Sequence, residues 1–358
     1  MGCPRIWLHN PLRTALFRYG QTVTVNNWEP PTVRLSDETL ESVFYLYPSE
    51  QSARNGEKAG GSGFFILIPF EREGVKRNHL YMATNRHVID GGALTARIND
   101  GPDSFVIFDT DDRAWFRHPD GHDLALILVD FSITFTCKGL SLGLNNDLRK
   151  TIAEHDLGIG DEVFTVGRFV NHEGKQRNNP VVRFGNVAQM PLEPIRQDDG
   201  YMQESFLVEC KSIAGYSGSP VFAFIKPFSP RPKTAQITSK AFGPWLLGVT
   251  WGHITEWKPV CDSKGRPLAN PAQIVAMNSG MMGVVPAWRL MEMFNHQKTK
   301  QKRLDAETRI IGDGPPVSSS DAAIEPAKKA ARGNDNPSHR EDFTSLLSAA
   351  AKARRADD

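Results

Sequence analysis

Ser217 lies within Gly215-Tyr216-Ser217-Gly218-Ser219-Pro220-Val221, whose glycines and proline read as a tight turn that lifts one hydroxyl clear of the backbone. A serine hydroxyl is a poor nucleophile at neutral pH. To attack a carbonyl it needs an imidazole to take its proton and a carboxylate to hold that imidazole in the right tautomer. Both types stand upstream: His87 in Ala83-Thr84-Asn85-Arg86-His87-Val88, and Asp123 at the head of Asp123-Leu124-Ala125-Leu126-Ile127. Together the three residue types support acyl transfer through a covalent serine intermediate.

Each residue also has a plainer reading. Turns of this composition are common, and most of the ten histidines have no bearing on chemistry. His118, His122 and His253 are weaker candidates for the base, and Asp111, Asp112 and Asp120 are rim acids that cap strands equally well. Asp123 stands apart because it precedes a wholly apolar run, where a lone carboxylate is costly and an imidazole N–H is a suitable partner. A Gly-x-Ser-x-Gly elbow would need glycine at 219, where the chain has Ser219, and would place its histidine after the serine.

In the order His, Asp, Ser, these segments resemble the chymotrypsin-like (trypsin-like) serine peptidases. Two more segments strengthen the resemblance. Gly61-Ser62-Gly63-Phe64-Phe65-Ile66 is similar to the strand that precedes the histidine in bacterial members, and Leu246-Leu247-Gly248-Val249-Thr250-Trp251-Gly252 to the strand whose edge pairs with extended substrate. The resemblance covers about residues 40–297. It implies that Ser217 is the nucleophile, His87 the proton carrier and Asp123 its orienting acid, with the Gly215 and Ser217 N–H groups as the oxyanion hole. It further implies substrate-binding roles for Lys211 and Ser212 at the base and wall of the primary pocket, Thr250 opposite, and Trp251 and Gly252 along the substrate edge. An inward Lys211 would favour an acidic side chain before the scissile bond. No cofactor and no metal is implied. Tyr216 departs from the family, where Asp or Asn is usual, and no Ile-Val-Gly-Gly strand is present; both argue against activation by cleavage of a zymogen.

The elements that must position these residues read as strands. Eleven short apolar runs, at 42–47, 63–69, 79–83, 105–108, 124–129, 162–169, 181–188, 205–209, 219–224, 244–251 and 283–285, are bounded by Gly, Asn, Asp and Pro. They predict an all-β protein, and the resemblance makes it two antiparallel β-barrels meeting near 140–160. Segments 171–179 and 226–239 read as polar or Pro-rich insertions. Residues 286–296 read as a helix, with Leu290, Met291, Met293 and Phe294 covering the second barrel. We assign 1–35 as an amino-terminal arm, 36–298 as the peptidase domain and 299–358 as a largely disordered tail. That tail is poor in aromatics and rich in Ala, Lys, Arg, Asp and Ser. Within it Phe343, Leu346, Leu347 and Ala350 fall at helical spacing and offer a docking face for a partner or for the protease body.

A net charge of +1, from 42 basic and 41 acidic residues, gives no reason to expect nucleic acid or membrane partners. Four scattered cysteines indicate neither a zinc site nor a disulfide framework; Cys137 and Cys210 read as small buried side chains. The first twenty residues lack the continuous apolar core of a secretory leader, which makes a cytoplasmic setting the expectation. The expected activity is that of a serine endopeptidase acting on protein or peptide. The alternatives are a catalytically inactive peptide-binding module on the same fold, or a serine esterase.

Overall fold

The structure is a computed structural model that describes residues 35–129, 138–144, 147–169, 174–197, 200–210, 215–225, 243–268 and 273–312. Short helices α1 (Asp37–Glu41), α2 (Glu50–Asn55) and α3 (Arg86–Asp90) punctuate a first set of strands. These are β1 (Val43–Tyr47), β2 (Gly61–Arg72), β3 (Val75–Thr84), β4 (Thr95–Asn99), β5 (Phe105–Asp109), β6 (Phe116–Arg117), β7 (Ala125–Leu128) and β8 (Leu140–Ser141). They form an eight-stranded sheet in the order β5-β4-β1-β2-β3-β7-β6, with β8 beside β2. β2 and β3 turn at Glu73 and Gly74, whose φ of 52° and 79° place both in the left-handed region of a two-residue hairpin turn, the kind that matches the right-handed twist of the strands.

After α4 (Leu148–His155) come β9 (Glu162–Gly167), β10 (Val181–Gln189), β11 (Ile195–Arg196), β12 (Met202–Gln203), β13 (Phe206–Glu209), β14 (Pro220–Phe224), β15 (Trp245–Pro259) and β16 (Ile274–Pro286). Six of them close a barrel in the order β10-β13-β16-β15-β14-β9. The winding repeats that of the first sheet. Mapping β1, β2, β3, β4 and β7 onto β9, β10, β13, β14 and β16, and the pair β5 and β6 onto β15, reproduces every neighbour relation among those strands, leaving only the short β8 without a counterpart in the barrel. In the first sheet that one strand is broken into two by the 3₁₀ turn Asp112–Ala114. Both sets therefore follow one antiparallel plan; of the two barrels the resemblance implied, the second is closed and the first is an eight-stranded sheet.

Each set has its own core. Phe44, Leu46, Phe65, Met82, Val88 and Trp115 fill the first, and Val163, Phe206, Val208, Val221, Leu247 and Val284 the second. All eleven expected runs are strands. β4 was missed because Ala96 and Ile98 are flanked by Arg97 and Asn99, which reads as polar. Arg97 is nonetheless fully buried: its Nε donates to Asn178 Oδ1 at 2.7 Å, and its guanidinium lies over the Tyr47 and Phe105 rings. Asn178 belongs to the segment read as a polar insertion. It is buried too, and ties the β9–β10 connection to the first sheet.

Helix α5 (Ala287–Asn295) is the expected helix and spans both sets: Trp288 packs on Phe206 of the second, Phe294 edge-on against Tyr81 of the first. The boundary expected after 298 requires correction. Residues 297–312 form a further helix, α6 (Gln297–Gly312). Thr299, Arg303 and Ala306, at i, i+4 and i+7, are buried. Arg303 donates to the Tyr81 hydroxyl at 3.2 Å, and Glu307 pairs with His79 at 2.9 Å. The composition argument failed here because long polar side chains bury their stems while their heads find partners. The expected amphipathic face at 343–350 and the arm at 1–34 lie outside the described residues. No described helix is long and apolar enough to cross a membrane.

Candidate active site

β3 ends at Thr84, and the chain turns at Asn85 into α3, which carries His87 in its first turn. Asn85 occupies the N-cap position but does not cap the helix; its Nδ2 donates to the Asp123 carbonyl at 2.8 Å. The Asp123 carboxylate caps the helix instead, with Oδ1 accepting the His87 backbone N–H at 2.9 Å. Its other oxygen, Oδ2, meets His87 Nδ1 at 2.6 Å. One carboxylate therefore fixes both the main chain and the ring of His87. Because a carboxylate only accepts, the network assigns the proton to Nδ1 and leaves Nε2 as the basic nitrogen. The Asp123 side chain is 8% exposed and that of His87 49%, so the acid is shielded while the imidazole faces solvent.

Behind Asp123, Gln203 crosses from the second set of strands. It is fully buried, accepts the Asp123 N–H at 2.9 Å, and donates to His122 Nδ1 at 2.9 Å and the Glu204 carbonyl at 2.8 Å. Sequence reasoning missed Gln203, since nothing around a lone glutamine marks it. His118 and His122, the weaker base candidates, form a buried edge-to-face pair beside it. Burial holds both below the ordinary histidine pKa. His118, Asp120 and Glu292 bring donor atoms within 4.8 Å of one another. However, His118 Nδ1 accepts the Asp120 N–H at 3.2 Å, which leaves Nε2 protonated, and Arg289 bonds both Glu292 oxygens. That donor set does not fit a cation.

Ser217 sits in the turn before β14, on the second set. Gly215 and Gly218 have φ of 97° and 84°, the left-handed region that favours glycine. At Gly218 a Cβ would fall well inside 3.0 Å of the Ser62 carbonyl oxygen and the Thr84 hydroxyl. The turn is thus pressed against the first set of strands, and hydrogen bonds hold it there: Ser62 N–H to the Ser217 carbonyl at 2.8 Å, and Ser62 Oγ to the Gly215 carbonyl at 3.1 Å. This gives the Gly61-Ser62-Gly63 motif its local role. From the other side the Gly218 N–H donates to the Thr250 carbonyl at 2.9 Å, and the Thr250 N–H to the Ser219 carbonyl at 3.0 Å.

The Ser217 hydroxyl donates to the Trp251 carbonyl at 3.3 Å. Among the described residues, the Gly215 and Ser217 N–H groups donate no hydrogen bond. Tyr216 is buried, its hydroxyl meeting Arg183 Nε at 3.0 Å and donating to the Val181 carbonyl at 3.3 Å. The Arg183 guanidinium also lies over the Tyr216 ring, 5.2 Å from its centroid.

Among the expected substrate contacts, Lys211 and Ser212 lie outside the described residues. Thr250 is fully buried and offers no open surface to a ligand; its main chain anchors the serine turn. Trp251 and Gly252 are half-buried along β15, and Trp251 Nε1 donates to Ser205 Oγ at 2.9 Å.

No protein-family model matches the chain, and no curated protein matches it. Among solved structures, the chain is similar to the MamO protease domain from Magnetospirillum magneticum, at 14% identity and a TM-score of 0.39, covering 72% of this chain and 97% of that one. It is similar to Deg5 at 18% identity and a TM-score of 0.36, covering 60% and 81%. It is also similar to the HtrA-type protease AlgW, solved with a decapeptide, at 16% identity and a TM-score of 0.35, covering 66% and 51%. The chain is thus an all-β protein of two like-wound sets of strands, the second a closed six-stranded barrel, with His87 and Asp123 carried by the first set and Ser217 by the second.

Proposed function

We propose that the chain is a serine endopeptidase. The observation that carries the reading is the pairing of a buried Asp123 with Nδ1 of a solvent-facing His87 at 2.6 Å, which leaves Nε2 basic on the exposed side. In this reading Ser217 Oγ bonds to the carbonyl carbon of the scissile peptide while His87 Nε2 takes its proton. The oxyanion is received by the N–H groups of Gly215 and Ser217. His87 then returns the proton to the leaving amine, and a water repeats the sequence on the acyl-enzyme. The bond from Ser217 to the Trp251 carbonyl is long for O–H···O, so turning the hydroxyl toward His87 costs little. Beyond Thr250, β15 offers Trp251 and Gly252 as an edge for an extended peptide.

The test is intact-mass spectrometry after fluorophosphonate treatment of the wild type and Ser217→Ala, followed by peptide, casein and small-ester hydrolysis. A single adduct that the variant lacks, with peptide turnover, supports the reading. Turnover of esters alone makes the protein an esterase. A second reading, a peptide-binding module, draws on the engagement of the Ser217 hydroxyl by the Trp251 carbonyl. Absence of any adduct on folded protein would favour it.

The free thiols of Cys210 and Cys261 support a reducing, cytoplasmic setting. A protease there needs restraint, and we assign that role to the arm or to residues beyond α6. Truncation after Gly312, which keeps the docked helix, should alter activity or location; no change in either removes the assignment.

A further inference from the structure

Where the first turns of α6 cross β6 and β7, they leave a cavity of about 180 Å³. It far exceeds the roughly 10–15 Å³ that admits one water. Its wall is mixed: Trp115, Phe116, Leu126 and Leu128 supply an apolar side, with Trp115 and Leu126 almost fully buried, and Tyr81 and Thr299 line it beside them. Its rim is cationic. Arg113 comes from the 3₁₀ turn, and Lys298 and Lys302, one helical turn apart, from α6; all three are exposed, and no acidic side chain lines the cavity. Among the described residues none of the three is paired with a carboxylate; Lys302 Nζ reaches only the Ala114 carbonyl, at 3.4 Å. Cations nearby behave otherwise. Arg117 binds Asp90 and Asp112, and Arg289 binds Glu204 and Glu292.

Three like charges converging on an apolar hollow repel one another, and an anion seated between them relieves that repulsion. A bare inorganic ion would leave the aromatic wall wet. We infer that this cavity binds a small organic anion, a carboxylate or phosphate monoester carried on an aromatic or aliphatic body. Its charged head meets Arg113, Lys298 and Lys302 while its body covers Trp115 and Phe116. The site is separate from the Ser217 region and independent of the proposed activity. A ligand there would bridge α6 to β7, the strand that directly follows Asp123 and Leu124.

Isothermal titration calorimetry on the full chain tests the inference with four probes: benzoate, phenyl phosphate, inorganic phosphate and benzyl alcohol. Benzoate, phenyl phosphate or both should bind saturably, and the preferred one identifies the head group. Affinity should fall by at least about tenfold in Lys298→Gln/Lys302→Gln, because charge-assisted hydrogen bonds are lost. Both lysines are exposed, so the variant retains its fold. The inference is overturned if neither organic anion gives saturable heat, or if the double variant binds as the wild type does. It is equally overturned if benzyl alcohol matches benzoate, which would leave no role for charge, or if inorganic phosphate matches phenyl phosphate, which would leave none for the wall.

Discussion

Gly218→Ala tests whether the serine turn is held in place by contact with the first set of strands. Two penalties apply. The left-handed φ of 84° costs an alanine about 1–2 kcal/mol. In addition, the new Cβ falls well inside 3.0 Å of the Ser62 carbonyl oxygen, itself fixed by the Thr84 hydroxyl at 2.7 Å. The neighbours are main chain and a buried side chain, so the turn must move rather than the obstacle. Gly74→Ala separates the two effects. Gly74 has a similar φ of 79° but open space where its Cβ would point, and it lies in the β2–β3 hairpin. That variant should melt about 2–8 °C lower than the wild type, the backbone penalty alone, and react with fluorophosphonate at the wild-type rate. Gly218→Ala should melt lower still. Its labelling should slow by on the order of 10²-fold, the usual consequence of displacing a reacting group by about 1 Å. If folded Gly218→Ala labels as fast as Gly74→Ala, the interlock at Ser62 does not position the serine, and the reasoning fails.

Asp123→Asn preserves shape but presents an amide to His87 Nδ1, favouring the wrong tautomer; labelling should drop by about 10⁴-fold with little loss of fold, and a small drop would deny the pair its role. Gln203→Ala strands the buried Asp123 N–H, removes the partner of the part-buried Glu204 carbonyl and leaves His122 Nδ1 only the Tyr201 hydroxyl at 3.4 Å, and should cost about 2–3 kcal/mol in urea denaturation. A change below about 1 kcal/mol would mean that this bridge contributes no stability. His79, His118 and His122 are all held below the ordinary value of 6.5, chiefly by burial, with Glu307 partly opposing the shift at His79. The unfolded chain therefore binds more protons than the native one just below pH 6.5. Stability is full above that value and is lost as pH falls toward the native values, by at most about 1.4 kcal/mol per pH unit per histidine. Melting temperature should decline from pH 7 to pH 5, before most carboxylates titrate; a flat profile would contradict the burial assigned to these rings.

The strands themselves were legible because apolar runs bounded by turn residues are a local property, and a barrel strand with two covered faces needs little else. The serine turn was legible for the same reason: Gly215 and Gly218 mark a backbone that other residues rarely adopt. His87 and Asp123 stood out because each lies at the end of an apolar strand, where a polar group needs an explanation. What the chain could not reveal are partnerships across long sequence separations. Gln203 reaches Asp123, Ser62 reaches Ser217 and Arg97 reaches Asn178, and in each case the chosen partner depends on how the two sets of strands meet. Arg97 and Arg303 look like surface cations until tertiary packing supplies carbonyls, amides and a tyrosine hydroxyl for their guanidinium groups. α6 was misread on the same ground, since its buried face is built from Thr299, Arg303 and Ala306 rather than from large apolar residues. Local periodicity thus determined which elements form and where the reactive residue types lie. Only the tertiary structure decided which polar groups satisfy one another, because burial makes those bonds obligatory and the partners lie tens to hundreds of residues apart.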